Sequence, residues 1–448
     1  MRTVLLGLCL SAALALSACD SGNTSSSKSA STPFTSTACG TYTGGGCAPA
    51  SKRVDLTRPS FSDSAKITNP LFPISRLQSA LLLGHVDGKP FRTETTLLPG
   101  TRTVTWNGDQ IPVLVSQYMA YLDGRLDEVA LDRYAQADDG SVWYLGEDVF
   151  DYRNGAIAFT EGTWLAGREG PAAMIMPARS QGGRGVPHRE CARDHLRGGN
   201  GKTVGKTVAG PRGPVEGEMV ASELHSDGTT EDKLFAPGYG EFRTAGGGDL
   251  EALALAVPTD ALPGPMPTAL ASLSASAEGI LESARIGDWE GAAATLERMN
   301  AAWTKLHAGN PPPMVAARLS KSLAALTRGV KAEKPGHAVQ KAIDVAQSVF
   351  DLQLRYRPPA EIDAVRFHLW TQQLRVDAAA KDLAGVTGDV AVLEWIRDRI
   401  AHTLEPAARS EINSRLRALR SATDAGNLPA AADHAARLGA RLQDLTDG

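Results

Sequence analysis

Residues 113–146 have the sequence VLVSQYMAYLDGRLDEVALDRYAQADDGSVWYLG. Two turn signals, Asp123-Gly124 and Asp139-Gly140, interrupt runs of aliphatic, β-branched and aromatic residues there. An aspartate or asparagine followed by glycine readily takes the positive φ angles of a two-residue hairpin turn, so such a pair between apolar runs is a strong hairpin signal. The stretch therefore predicts consecutive antiparallel strands.

The same alternation of strand-like runs and turns continues over residues 65–258. Further Asx-Gly pairs stand at positions 87–88, 107–108, 154–155 and 227–228. Many strands joined by tight turns are typical of an antiparallel meander, and we expect it to form an open or a barrel-like sheet.

The character of the sequence changes after a proline-rich linker at residues 259–267. Over residues 268–448, apolar side chains recur at helical spacing, which predicts amphipathic helices. Turn signals spaced roughly 40–55 residues apart predict about four helical hairpins. These signals are Gly287-Asp288, the stretch from Glu333 to Gly336, Gly388-Asp389 and Gly426-Asn427. The predicted fold class is therefore α+β, with an antiparallel β-meander domain followed by an all-α domain.

The overall composition is that of a folded chain, and its charge does not predict a nucleic-acid partner. Hydrophobic residues make up 42% and charged residues 21% of the 448 residues, which is ordinary for globular proteins. The net charge of −4 argues against nucleic acid as a partner.

Residues 1–18 have the features of a signal peptide. Arg2 precedes an apolar run from Val4 to Leu16, which is too short for a transmembrane helix because spanning takes about 20 residues. The residues Leu16-Ser17-Ala18-Cys19 resemble the lipobox of bacterial lipoproteins. The resemblance implies cleavage before Cys19, a lipid on its sulfur and an extracytoplasmic chain anchored to the membrane. Secretion with an unmodified Cys19 is the alternative.

A tether is predicted at residues 19–64, which are rich in serine, threonine and glycine. Such a composition buries too little apolar surface to fold alone. Cys39 and Cys47 lie within it, and an oxidising compartment favours a disulfide between them over two free thiols.

Six short segments of the β domain form a recognisable set: ITNPLFP at residues 67–73, DRYAQ at 132–136, VWYLGE at 142–147, WLAG at 164–167, MIMP at 174–177 and FAPGYG at 235–240. With these segments the domain resembles, over about 190 residues, an uncharacterised family of secreted and lipid-anchored bacterial proteins. The resemblance implies the domain type and brings no activity, cofactor or site role with it.

Residues 179–202, RSQGGRGVPHRECARDHLRGGNGK, do not fit the strand pattern around them. Permitted codons for residues 178–202, taken one base later, encode PDPKVGEVYRTENVPGITFEEVTV, whose last eight residues alternate as a strand does. We hypothesise that the segment is a frame-shifted version of a strand-turn-strand unit. The alternative is a zinc site at His188, Cys191 and His195, but no surrounding helix supports it, and we predict no metal or other cofactor.

Polar and aromatic residues of the β domain form a candidate ligand groove. Because side chains alternate along a strand, Asp132, Tyr134 and Gln136 are expected on one face of one strand, and Trp143 and Glu147 on one face of the next. Glu223 and His225 form a similar pair farther along the chain. The alternative interpretation is the solvated face of an antiparallel sheet. Two carboxylates can serve acid–base chemistry only where they converge.

In the helical domain, a polar stripe follows Pro358-Pro359 at spacings usually taken by core residues. It is either a buried polar network that binds a ligand, ion or partner, or an exposed face or ion-pair ladder. The stripe consists of Asp363, Arg366, Trp370, Gln373 and Asp377.

Three functions follow from these patterns. The first, favoured by the absence of an assembled catalytic motif in the sequence, is a non-enzymatic binding or scaffolding module of the cell envelope that holds a lipid, glycan or protein. The second is an envelope hydrolase that uses the carboxylates or His225 of the groove. The third is docking of a partner by the helical stripe.

Overall fold

The computed structural model describes residues 58–178, 203–204, 207–224 and 230–447. The predictions about the signal peptide, Cys19, the Cys39 and Cys47 pair, the segment 179–202 and His225 lie outside the described residues. Among the described residues, no helix is long and apolar enough to cross a membrane.

Sixteen strands precede eight helices in the described part of the chain. Fourteen strands join one antiparallel sheet, with β10 and β7 at its two ends and β16 paired to β1 in the middle. The predicted α+β class is confirmed, and the described strands form an open sheet. The strands are β1 (Ser79–Val86), β2 (Lys89–Leu97), β3 (Arg102–Trp106), β4 (Asp109–Leu122), β5 (Arg125–Gln136), β6 (Val142–Arg153), β7 (Ala156–Phe159), β8 (Trp164–Leu165), β9 (Ala173–Met176), β10 (Thr203–Val204), β11 (Thr207–Gly210), β12 (Gly213–Glu216), β13 (Met219–Leu224), β14 (Thr230–Ala236), β15 (Gly240–Gly246) and β16 (Asp249–Val257).

Four of the Asx-Gly pairs form two-residue hairpin turns, as the sequence predicts. Asp123 has a φ of 50° and Gly124 a φ of 81° between β4 and β5, and the pairs after β1, β3 and β6 have the same signs. Positive φ at both positions matches the right-handed twist of the flanking strands. These turns set the register of the central part of the sheet.

Both faces of the central strands are buried: one face lines a cavity, and the other packs against the helices. Along β4, Ser116 and Tyr118 line a cavity on one face, while Met119 and Tyr121 pack with the helices on the other. Along β1, Leu82 lines the cavity and Leu81 belongs to the core shared with the helices. Alternation of side chains along each strand therefore separates a cavity face from a helix face.

The eight helices pair as four consecutive hairpins, as predicted. Helices α1 and α4 also pack together, and α5 and α8 repeat that arrangement, so the domain contains two four-helix groups joined through α4 and α5. The helices are α1 (Thr268–Ile286), α2 (Trp289–His307), α3 (Pro313–Lys331), α4 (Pro335–Gln353), α5 (Pro359–Ala379), α6 (Leu383–Ile400), α7 (Pro406–Asp424) and α8 (Leu428–Asp447).

One predicted helical turn is wrong. Gly388-Asp389 lies inside α6, and the chain turns instead at residues 380–382, where Lys381 has a φ of 60° and Asp382 caps α6 by accepting from the Gly385 N–H. A Cβ on Gly388 would stand 3.3 Å from the Cα of Gly155 in the β6–β7 turn. The glycine therefore allows a close approach of helix and sheet, and it does not end the helix.

Candidate functional site

A cavity of about 120 Å³ lies on the cavity face of the curved sheet. Its walls come from strands that are far apart in the sheet order, with β5 and β6 on one side and β13 and β14 on the other. Curvature of the sheet brings these strands together around one space. Its polar lining residues are Thr95, Ser116, Asp132, Glu223, Lys233, Glu241 and Glu251.

Aromatic side chains form much of the apolar wall. Phe72, from the segment that precedes β1, meets Tyr134 edge-on with ring centroids 4.9 Å apart. Tyr134 in turn stacks on Tyr144 at 4.9 Å. Asn69 fixes the segment, since its Nδ2 donates to the carbonyl oxygens of Gly140 at 3.1 Å and Pro177 at 2.8 Å. The aromatic wall is therefore held by ring packing and hydrogen bonds, and it presents apolar surface to the cavity.

Asp132, Tyr144 and Glu147 share protons in the wall of the cavity. The Tyr144 hydroxyl lies 2.6 Å from Oδ1 of Asp132 and 2.7 Å from Oε2 of Glu147. A phenol has one proton to donate, so one of the two carboxyls must carry a proton for both contacts to be hydrogen bonds. Burial raises the pKa of Asp132 to about 6, against the opposing hydrogen bonds from Tyr144 and Ser116. Asp132 can therefore gain or lose a proton near neutral pH.

A second set of charged groups surrounds Lys233. The ammonium Nζ lies 3.2 Å from Glu223, 3.7 Å from Glu241 and 3.9 Å from Glu231. Burial disfavours the ammonium, but these carboxylates outweigh that effect and raise the pKa of Lys233. Burial, together with the charge of Glu241, raises the pKa of Glu251 to about 7. The described lining is therefore acidic, and it holds carboxyls that change charge near neutrality.

The structure brings together only part of the predicted groove. Asp132, Tyr134 and Glu223 all line the cavity. Trp143 and Glu147 do not share a face as predicted, because Leu145 is an extra residue in β6 where Arg133 pairs with Gly146 and Tyr134 pairs with Tyr144. This bulge reverses the alternation of side chains along β6. Glu147 therefore pairs with Asp132 and lies on the same face of the sheet, whereas Trp143 lies on the other face. Trp143 packs on Trp106 with centroids 6.1 Å apart.

Gln136 holds the segment that carries Phe72. Its Oε1 accepts from the backbone N–H groups of Thr68 at 2.7 Å and Asn69 at 2.9 Å. It does not line the cavity, although it follows Tyr134 by two residues on the same strand. Its role in the described structure is to position the aromatic wall.

Tyr144 and Glu251 line the cavity, and neither was predicted from the sequence as a groove residue. Tyr144 was hidden by the bulge, because simple alternation from Glu147 places it on the other face. Lys233 alternates with Glu231 in β14, a spacing that predicts both side chains on one face of the strand.

The polar stripe of α5 is buried against the sheet. Asp363 and Arg366 are each 2% exposed, and they meet charged residues from β2. Arg92 of β2 donates two hydrogen bonds to Asp351 of α4, at 2.7 and 2.8 Å. Arg399 of α6 donates to Glu94 at 2.8 Å. The resulting cluster, called the interdomain network below, contains Arg92, Glu94, Asp351, Asp363, Arg366 and Arg399.

Charges balance within the interdomain network, which holds three arginines and three carboxylates. Burial alone would raise the pKa of Glu94, but the guanidiniums of Arg366, Arg92 and Arg399 hold it below its usual range. Burial would also raise the pKa of Asp351, but the charges of Arg92 and Arg366 outweigh it and lower that pKa. Such a network favours this one way of packing the sheet on the helices, because moving them apart would leave buried charges without their partners; Nη2 of Arg399 is buried without an acceptor among the described residues even here.

The rest of the stripe also faces inward. Trp370 stacks on Tyr121 of β4 at 5.6 Å, and Asp377 accepts hydrogen bonds from Arg125 of β5. Gln373 exchanges two amide hydrogen bonds with Gln340 of α4, at 2.8 and 3.0 Å. The sheet and α4 therefore occupy the face that the docking hypothesis assigns to a partner.

No group of three or more metal-ligating side chains occurs within residues 58–178, 203–204, 207–224 and 230–447. The chain matches no known family model, and no curated protein matches it in sequence. The aromatic wall of the cavity can bury an apolar group, and its carboxyls can accept hydrogen bonds or exchange protons.

Proposed function

We propose that this protein is a lipid-anchored, extracytoplasmic binding protein whose curved sheet holds a small ligand with an apolar body and a cationic end. The observation that carries the proposal is the cavity of about 120 Å³, which has an aromatic wall and the carboxyls of Asp132 and Glu251 in its lining. The anchor rests on the lipobox that ends at Cys19.

The size of the cavity sets the size of the buried group. An apolar cavity of about 150 Å³ accepts a benzene ring. The cavity here is slightly smaller, at about 120 Å³, so one ring or a short branched chain fills it. A larger ligand would place only one end inside.

The charge of the lining favours a cation over an anion. Asp132, Glu223, Glu241 and Glu251 line the cavity with one cation, Lys233, among its described lining residues. Bringing an ammonium group close to Asp132 or Glu251 favours the ionised carboxylate, so binding releases a proton from each carboxyl that it ionises. A carboxylate ligand would meet like charges.

Three one-ring probes test this proposal: benzylamine, benzyl alcohol and benzoate, titrated into the purified full chain by calorimetry. We expect benzylamine to bind most tightly and benzoate most weakly, with proton release on benzylamine binding near pH 6.5. Glu251→Gln and Asp132→Asn should each weaken benzylamine at least about ten-fold, since each removes a charge-assisted contact. Glu216→Gln on exposed β12 is the matched control. Equal affinity for benzoate and benzylamine would refute the proposal.

The lipid anchor has its own test. Mass spectrometry of the chain purified from a bacterial membrane should show an N-terminal Cys19 that carries acyl groups. The variant Cys19→Ala should lose the lipid and leave the membrane fraction. A wild-type chain that retains residues 1–18 without lipid would contradict the anchor.

An envelope hydrolase remains the second candidate, because Asp132 both faces the cavity and has a pKa raised to about 6. A carboxyl with a pKa near the working pH can act as a general acid or base. Replacing Asp132, Glu147 and His225 together tests this idea. Turnover of an envelope glycan or ester that disappears in this variant would favour hydrolysis over binding alone.

A further inference from the structure

A second cleft, of about 850 Å³, lies among the ends of helices α1, α4, α5 and α8. Two arginines line it, Arg285 near the end of α1 and Arg375 near the end of α5. No aspartate or glutamate is among the described residues that line the cleft. Its other walls are mainly small or apolar, and they include Val339, Val376, Ala379, Leu428 and Pro429.

The two guanidinium groups converge on one neutral oxygen. Nη1 of Arg285 donates to Oε1 of Gln372 at 2.6 Å, and Nη1 of Arg375 donates to the same oxygen at 3.0 Å. In the described part of the chain, neither arginine forms an ion pair within 4.0 Å, and Nη2 of Arg285 is buried without an acceptor. Burial and the neighbouring charge of Arg375 lower the pKa of Arg285 to about 10. The protein therefore holds two like charges together, and the charge of Glu282, three residues earlier on α1, offsets only part of that of Arg285.

Two helix N-termini add positive potential to the same cleft. Helix α4 begins at Pro335 and α8 begins at Leu428, and both residues line the cleft. Neither helix has an acidic residue in its first turn. The helix dipole makes both N-termini positive, although the α8 N–H groups of Leu428, Ala430 and Ala431 already donate to Gly426 and Asn427.

We propose that this cleft binds a phosphate monoester carried on an alkyl chain, with the phosphate on Arg285 and Arg375 and the chain along Val339, Val376 and Leu428. Among the residues that the structure describes, the two guanidiniums face only one nearby carboxylate, that of Glu282, and they match a phosphate monoester, which carries about −1.5 to −2 charges at pH 7, better than a single carboxylate. The apolar walls favour a chain over a free inorganic ion. This site is separate from the cavity of the sheet and does not depend on it.

Calorimetric titration of the full chain with octyl phosphate tests the proposal, with inorganic phosphate, octanol and octanoate as comparison probes. Octyl phosphate should bind at least about ten-fold more tightly than each of the others. Inorganic phosphate binding equally well would refute the role of the chain, and octanol binding equally well would refute the role of the arginines. Tighter binding of octanoate would refute the phosphate assignment, and an absence of octyl phosphate binding would refute the whole proposal.

Substitutions locate the site. Arg285→Gln and Arg375→Gln should each weaken octyl phosphate at least about ten-fold, while Arg417→Gln, at an exposed position of α7, should leave the affinity within about two-fold. Ala379→Trp fills the cleft and keeps both arginines, so it should also abolish binding. Because Arg285→Gln relieves repulsion, its thermal midpoint should not fall, which separates lost binding from unfolding. Wild-type affinity in Arg285→Gln and Arg375→Gln would overturn the assignment.

Discussion

Replacing Asp351 by leucine should destabilise the protein by about 3–5 kcal/mol, the usual cost of removing one partner from a buried ion pair. Asp351 is fully buried and accepts from Arg92 at 2.7 and 2.8 Å and from Arg366 at 2.8 Å. Its loss leaves three buried arginines facing two carboxylates in the interdomain network. Arg92→Met should cost a similar amount, because it leaves three carboxylates facing two arginines.

The double variant distinguishes charge balance from simple loss of contacts. Arg92→Met combined with Asp351→Leu leaves two arginines and two carboxylates, so the double variant should cost little more than either single variant. The coupling free energy between the two positions should therefore be about 3 kcal/mol. The exposed pair Arg437 and Asp433 on α8 is the control, with an expected coupling below about 0.5 kcal/mol.

Urea unfolding at pH 7, followed by tryptophan fluorescence and circular dichroism, measures these free energies. The pKa values of Asp351 and Glu94 are lowered in the folded state, so their contribution is present above their unfolded pKa near 4 and is lost as pH falls through the folded pKa. The coupling should therefore be the same at pH 8 and pH 5. Additive costs of the two single variants would refute this account of the network.

Three further predictions concern the sheet. Because the pKa values of Asp132 and Glu251 are raised to about 6 and about 7, the folded state binds more protons than the unfolded state between about pH 4 and pH 7. The unfolding free energy should therefore fall as pH rises across that window, and Asp132→Asn or Glu251→Gln should flatten the profile. Gly155→Ala should cost more than Gly100→Ala in urea unfolding, by about 2 kcal/mol or more, because both glycines have a φ of +78° but only a Cβ on Gly155 would meet backbone, 2.1 Å from the nearest oxygen. Tyr144→Phe should destabilise by about 1–3 kcal/mol, since it removes the hydroxyl between two buried carboxyls, and an unchanged midpoint would contradict the shared proton.

The hairpins were predictable because their determinants are local. Asp123-Gly124 specifies a turn by its own backbone preferences, and the apolar runs beside it specify the strands. The bulge at Leu145 had one local signal, since a glycine inside a strand such as Gly146 often marks a bulge, but that signal does not say which residue is the extra one. That single extra residue decided which of Trp143 and Tyr144 faces the cavity.

The burial of the helical stripe depends on long-range contacts. Asp363 and Arg366 have the spacing of a buried face, but the sequence does not show that Arg92 and Glu94, more than 250 residues earlier, would meet them. The prediction of a turn at Gly388-Asp389 was wrong for a similar reason, because Gly388 allows a close contact with the distant Gly155. The structural role of such residues depends on partners that are far away in the sequence, so the local sequence pattern does not reveal it.

The two-sided burial of the central strands restricts how this protein can change in length during evolution. Arg92 and Glu94 point toward the helices, while Thr95 lines the cavity. One inserted or deleted residue within β2 would exchange the two faces of the strand. An arginine side chain would then face the cavity, and a threonine would face the interdomain network. Natural insertions should therefore be found in hairpin turns, such as the one that contains Gly88, and should be absent from the strand interiors.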